Sequence, residues 1–317
     1  MTDPTRTGDA GAPRARVILD NDFGGDPDGL FQLAHHLLSP SVHVALVVAS
    51  KIPDSFAEFD PGVVERGVIA ADRIVEMLGR PERALAGAET GLRAGVTPPL
   101  TPAARAIIAE ALRDDPLPLF YCAGGGLTDL ATAYLHEPGI ADRLTLVWIG
   151  GPGYGPAHAE DPRPAEFNTT IDPVAAGVVF ASSMTIWQVP ETTYEQCLIT
   201  WAELHRHVAP LGPLAAHLVE CLDTFTATMS EMLGFHRGET VVLGDSPLVL
   251  LTALRGPFRV DPSSSPSSLQ PRRAIREDAT YGDLLVGAPP VRVFTALDTR
   301  LMFGDLVAKL TEVGETA

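Results

Sequence analysis

A chain of 317 residues with 45% apolar content is long enough for one large α/β domain or two modest ones, and either buries a sizeable core. Its formal charge of −17 repels polyphosphate backbones, which argues against a nucleic-acid partner. No apolar run approaches the roughly 20 residues of a membrane span, and Cys122, Cys197 and Cys221 have neither paired nor metal-type spacing, so a soluble protein of the reducing cytoplasm is expected.

Residues 1–14 read as a short flexible arm, leaving 15–317 as a single domain. Arg16 to Leu19 forms a first buried strand ending at Asp20, followed by a helix from Leu30 to Leu38 and a strand from Val42 to Ala49. Val64, Val75 and Leu78 recur at helical spacing, which predicts an amphipathic helix over 63–78. Further strands are expected at Leu117 to Cys122, Leu144 to Ile149 and Met184 to Val189, each ending in a Gly- or Pro-rich turn. Residues 201–235 are helical in pattern, broken near Pro210 and Pro213. The Ser/Pro-rich segment 261–275 reads as a mobile surface loop. Val291 to Ala296 is a late strand, and a closing helix begins at about Met302. This alternation predicts an α/β fold with a mixed, mostly parallel open sheet, a Rossmann-like core and helices on both faces.

Asp20, Asp22, Asp26 and Asp28 fall within DNDFGGDPD, directly after the first strand and before the first helix. Ligand sites in open α/β sheets lie at the carboxyl ends of strands. Gly24 and Gly25 permit a tight turn that folds Asp26 and Asp28 back towards Asp22. Carboxylates crowded in this way repel by about 4 kcal/mol per pair at 4 Å and an effective dielectric near 20, and a hard divalent cation removes that penalty. The structural alternative is that Asp26 or Asp28 merely caps the helix, with Pro27 in its first turn. The spacing does not fit an EF-hand loop, which continues to a Glu at its twelfth position.

Four ordered motifs resemble the nucleoside hydrolase family, the inosine–uridine-preferring ribohydrolases and their relatives. They are the aspartate turn, Gly124-Gly125-Gly126-Leu127-Thr128-Asp129, Glu166-Phe167-Asn168 with Asp172-Pro173, and Gly244-Asp245-Ser246-Pro247. The resemblance implies Ca²⁺ held by the Asp22, Asp28 and Asp245 carboxylates and the Gly124 main-chain carbonyl. It further implies that Asp22 is the general base on a water, that Asp26, Glu166 and Asn168 bind the ribose, and that Asp20 supports the ligands from behind. Taken alone, Asp172 is a helix-capping residue, Phe167 a pocket wall or core aromatic, and Asp245 a possible cap of the helix that follows it. The expected activity is hydrolysis of the N-glycosidic bond of a ribonucleoside-like substrate by a homodimer or homotetramer.

The pattern departs from the family at three places. Pro27 separates Asp26 from Asp28, which leaves the division of roles between the two open. Gly244 stands where many members carry a His able to protonate the departing base, so His236, Tyr194, Glu191 or a water is left as its substitute. Lys51 stands where the family tends to have Asn, and reads as a solvated loop lysine or as a contact for an anionic substituent. Two other functions fit part of the pattern: a haloacid dehalogenase-type phosphohydrolase, which also places DxD after a first strand, and a non-catalytic ribosyl-binding relative.

Overall fold

The run Arg16–Leu19 lies inside β1 (Ala15–Asn21), whose seven residues are all buried. A strand covered on both faces needs no polar alternation, which is why it is legible only as a short apolar run. The computed structural model describes residues 12–57, 61–154, 165–256 and 264–316, so most of the expected N-terminal arm lies outside the described residues. After β1 come β2 (Val42–Ala49), β3 (Ala84–Ala86), β4 (Leu119–Ala123), β5 (Leu144–Ile149) and β6 (Thr185–Val189). β7 (Leu198–Thr200) pairs antiparallel with β8 (Thr240–Val242), and β10 (Arg273–Ile275) with β11 (Tyr281–Leu284). β9 (Ser267–Gln270) and β12 (Val291–Phe294) complete the main sheet.

That sheet has eight strands in the order β3-β2-β1-β4-β5-β6-β12-β9. Every neighbouring pair is parallel except β12 and β9, so the sheet is mixed and mostly parallel, as expected. The chain runs outward from β1 through β2 to β3, then returns to lay β4 on the other side of β1. This reversal opens a crevice at the carboxyl ends of β1 and β4, where open α/β sheets take their ligands. The aspartate turn follows β1 and the glycine run follows β4, so both motifs arrive at that crevice.

Two apolar layers cover the sheet. Val17, Leu19 and Phe120 face a core built with the first helix α1 (Asp28–Leu37), the helix Pro213–Leu233 and the closing helix Thr299–Thr316. Ile18, Leu119 and Tyr121 face the other, built with the helices Pro102–Ala111, Thr128–His136 and Pro173–Ala181. The period-2 alternation of strand side chains sends neighbouring residues to opposite cores.

The predicted helix over 63–78 is present at Val63–Met77, and the break near Pro210 and Pro213 separates short helical turns from the long helix Pro213–Leu233. The mobile-loop reading of 261–275 is corrected. Residues 261–263 lie outside the described residues, but Ser267–Gln270 forms the edge strand of the main sheet, antiparallel to β12, and Arg273–Ile275 forms a second strand. An edge strand is held by backbone hydrogen bonds along one side, so a serine-rich segment can form it.

Candidate active site

The turn after β1 is tight because the Asp22 carbonyl accepts from the Gly25 N–H at 2.6 Å and from the Asp26 N–H at 3.0 Å. Gly24 is required by contact: a Cβ there would lie 2.1 Å from the Val63 carbonyl oxygen. At Gly25 a Cβ would meet Ile52 Cγ2 at 2.2 Å. Helix α1 begins after Pro27 without a side-chain cap, and Asp26 Oδ1 accepts the Asp28 N–H at 3.2 Å. Helix capping therefore does not consume the carboxylate of Asp28.

The late segment after β8 closes on this turn. The Asp245 N–H donates to Asp28 Oδ2 at 3.1 Å, and Asp245 Oδ2 accepts from Asn21 Nδ2 at 2.8 Å. The helix that follows, Pro247–Thr252, has no side-chain cap, so Asp245 is not spent on it either. Gly124 sits against the same group: a Cβ there would lie 2.2 Å from Asn21 Nδ2 and 2.7 Å from Asp245 Oδ1. The Gly124 carbonyl accepts from Asn168 Nδ2 at 3.1 Å, and the same amide donates to the Ile149 carbonyl at 2.8 Å. A cavity of about 250 Å³ opens between these elements, lined by Asp22, Asp26, Asp28, Gly124, Asn168 and Asp245, with Phe167 and Tyr194 as aromatic walls.

Burial holds Asp22 well above the usual carboxylate range, and Asp26 and Asp28 add repulsion. Burial and then Asp28 raise Asp26, burial and then Asp245 raise Asp28, and burial raises Asp245. Asp20 lies behind them: its Oδ2 accepts from the Tyr121 hydroxyl, and burial followed by Asp129 pushes it up to about 8.

The donor set suits a hard divalent cation, being all oxygen and strongly self-repelling. Asp22 Oδ2 is buried without a hydrogen-bond partner, which costs free energy unless something binds it. The geometry is looser than the chemistry. Among the described residues no three His, Cys, Asp or Glu side chains stand together as a ready-made metal cluster. Asp28 and Asp245 instead take the protein donors described above, so they would have to draw inward to share an ion.

Glu166 behaves differently from its expected neighbours. It caps the helix Phe167–Ile171: Oε1 accepts from the Asn168 N–H at 3.0 Å, and Oε2 from the Thr169 N–H at 2.8 Å and the Gly151 N–H at 2.7 Å. The Tyr194 hydroxyl also donates to Oε1, at 2.9 Å. Asp172 caps the next helix through the Ala175 N–H at 2.9 Å, matching its structural reading.

Lys51 requires a correction, because it is not a solvated loop lysine. It is 1% exposed, its Nζ donates to the Ile171 carbonyl at 3.0 Å, and it pairs with Asp54 at 2.9 Å. His236 is exposed and outside the cavity lining, whereas Tyr194 is part of that lining. Asn21 is a site residue that motif reading passed over, although it sits between two of the aspartates at the end of a buried strand. Its signal was the polar residue type at a fully buried strand end.

An open, mostly parallel sheet, with carboxylates from the turn after β1 and from a segment more than 200 residues later gathered over its switch point, defines an α/β protein with an acidic cleft. The sequence profile of the inosine-uridine preferring nucleoside hydrolase family matches residues 17–303, and the chain belongs to that family. It is similar to an inosine-uridine preferring nucleoside hydrolase from Leishmania major, 36% identical over 126 residues. That alignment covers 39% of this chain and 39% of the relative, so the chain spans about two fifths of that protein's length. It is also 26% identical to a pyrimidine-specific ribonucleoside hydrolase, RihA, from Salmonella arizonae, over 73% of this chain and 76% of that one. Among solved structures, a purine-preferring ribonucleoside hydrolase from Gardnerella vaginalis shares the fold, with a TM-score of 0.69, 18% identity, and coverage of 95% of this chain and 100% of that one. No helix among the described residues is long and apolar enough to cross a membrane.

Proposed function

We propose that this chain hydrolyses the N-glycosidic bond of a ribonucleoside, giving ribose and free base, with Ca²⁺ as its cation. The observation that carries the reading is the meeting of Asp22, Asp28, Asp245 and the Gly124 backbone around one cleft, with Asp22 Oδ2 left unpartnered. Family membership sets aside the phosphohydrolase alternative, for which the Glu166-Phe167-Asn168 motif has no use.

In this reading Asp22, Asp28, Asp245 and the Gly124 carbonyl hold the ion. When bound, the ion would neutralise the crowded carboxylates and lower the pKa of the attacking water. Asp22 takes the proton from that water as its oxygen adds to C1′, while the C1′–N bond breaks with its electron pair on the departing base, which takes up a proton from solvent water. Asp26, at the cleft wall, accepts a hydrogen bond from a ribose hydroxyl. Asn168 is fixed by its two carbonyl partners, which aims its amide oxygen towards the sugar. Fixed oxygens stabilise the positive charge that builds on the sugar ring better than mobile water does. Glu166 holds the turn that carries Asn168, and its direct contact with a sugar hydroxyl requires the Tyr194 hydroxyl to move aside.

Incubation with a ribonucleoside panel, with and without chelator, and assay of reducing sugar tests the proposal. Asp22→Asn is expected to lower kcat by about 10²- to 10⁴-fold, the usual share of a general base. Full turnover in that variant, or in excess chelator, refutes the assignment. The family likeness alone supports a homodimer or homotetramer, which light scattering on the purified protein decides; the cytoplasmic setting rests on the free cysteines.

A further inference from the structure

Resting on the nucleoside-cleaving reading, we propose that Tyr194 sets the leaving-group preference of this enzyme, its clamped ring walling the cleft where a side chain at position 244 would otherwise project. A Cβ at Gly244 would lie 3.3 Å from Tyr194 Cδ2, 3.5 Å from Asp28 Oδ2 and 3.6 Å from Val242 Cγ1. The first contact is tighter than a settled van der Waals pair, and interiors this dense do not absorb added volume freely. Even a methyl group at 244 needs the tyrosine ring to give by a few tenths of an ångström.

The ring is held at both ends. Its backbone is fixed in the turn after β6, where the Tyr194 N–H donates to the Pro190 carbonyl at 3.0 Å and its carbonyl accepts the Cys197 N–H at 2.9 Å. Its hydroxyl donates to Glu166 Oε1 at 2.9 Å, and Glu166 is itself anchored by the Gly151 and Thr169 N–H groups. Tyr194 and Gly244 both line the cavity that contains the aspartates. If its ring turns a face to the cleft, this aromatic wall favours a flat heteroaromatic base, which gains about 0.5–1.5 kcal/mol from stacking, a factor of about 2 to 12, over a puckered ring of similar size.

Uridine and 5,6-dihydrouridine differ in this property, since saturation removes the planarity of the base. The test measures kcat and KM for both with the wild type, Tyr194→Phe, Tyr194→Ala, Gly244→Ala and the Tyr194→Ala/Gly244→Ala double variant, and thermal melting for all five. Tyr194→Phe keeps the wall and is expected to hold the uridine-to-dihydrouridine ratio of kcat/KM within about twofold, while both substrates lose the same factor through the loosened Glu166. Tyr194→Ala is expected to lower that ratio about threefold or more, chiefly through KM for uridine. Gly244→Ala should lower the melting temperature in the wild type and have a smaller effect once Tyr194 is Ala. An unchanged ratio in Tyr194→Ala, or additive melting effects in the double variant, overturns the proposal. Should the wild type cleave no nucleoside, the activity reading fails. The melting cycle, with stabilisation by uracil against dihydrouracil in wild type and Tyr194→Ala, then decides the wall separately.

Discussion

Replacing Asp245 with Asn is expected to stabilise the chelated protein and weaken its hold on a cation, two effects of opposite sign from one atom. Asp245 is 3% exposed, and its N–H already serves Asp28 Oδ2 at 3.1 Å. That backbone bond survives the change, and a carboxamide oxygen can keep the Asn21 Nδ2 contact made at 2.8 Å. What disappears is a buried charge facing Asp28, Asp22 and Asp26. One like-charge pair at 4 Å costs about 4 kcal/mol at an effective dielectric near 20, and proton uptake relieves part of it, so about 2 kcal/mol of gain is expected. The pH dependence follows from the direction of the shift. Folding raises the pKa of Asp245, so above about pH 4 the folded state holds a proton that the unfolded chain has released, and stability falls as pH rises. The benefit of Asn is therefore near zero at pH 4 and grows as pH rises. At 2–4 °C per kcal/mol for a chain of this order, the melting temperature in EDTA at pH 8 should rise by about 4–8 °C. Calorimetric Ca²⁺ affinity should fall at least tenfold, roughly the loss that follows from removing even an outer partner of a metal ligand. A variant that melts below the wild type in EDTA at pH 8, or that binds Ca²⁺ as tightly, refutes the argument that these carboxylates are gathered for an ion.

Three further outcomes can be measured. Gly24→Ala places a methyl 2.1 Å from the Val63 carbonyl oxygen and 2.8 Å from the Gly67 nitrogen, both backbone atoms, so a loss of about 3 kcal/mol or more is expected in urea titration; a loss under 1 kcal/mol would show that the turn is slack. Lys51→Met removes the donor to Ile171 and the ion pair with Asp54 while leaving an apolar stem, and should cost about 1–3 kcal/mol, whereas a surface lysine would cost under about 0.5. His36, buried between Gln32 and Thr252 at 2.5 and 2.9 Å, has its pKa lowered by burial to about 3. Its neutral form stabilises the fold fully above about pH 6.5, and that contribution is lost as pH falls towards 3. His36→Asn should therefore flatten the dependence of stability on pH between about 6.5 and 4, and an unchanged slope would assign acid unfolding elsewhere.

Much of the fold was legible because its strands are apolar runs ended by turn residues and its helices have clear periodicity. β5 matches its expected bounds, and the helix at Val63–Met77 differs from expectation by one residue. β9 was not legible, since Ser267–Gln270 is half-exposed and draws its order from the backbone ladder with β12, a long-range pairing that leaves no local pattern. The same limit hid β7 and β8, three residues each, which position the Gly244-Asp245 segment.

The residues of the site were legible by type, and their bonding was not. Four aspartates around two glycines point to a cation because water cannot screen carboxylates in so short a turn after a buried strand. The identical letters Glu and Lys carry no such instruction. Glu166 was expected to face a sugar, yet it lies beneath a helix start as the acceptor of backbone N–H groups, because such groups at a helix N-terminus need an oxygen and a carboxylate is the strongest on offer. Lys51 was expected in water, yet the chain reversal after β2 carries it under the Ile171 carbonyl, where an apolar side chain would leave that oxygen without its donor. Apart from the Asp54 carboxylate that pairs with Lys51, the partners lie more than ten residues away or on the main chain, and main-chain groups are the same at every position. A motif therefore identifies which side chains are chemically able to build a site, while the three-dimensional placement of anonymous backbone groups decides which of them remain free to use it.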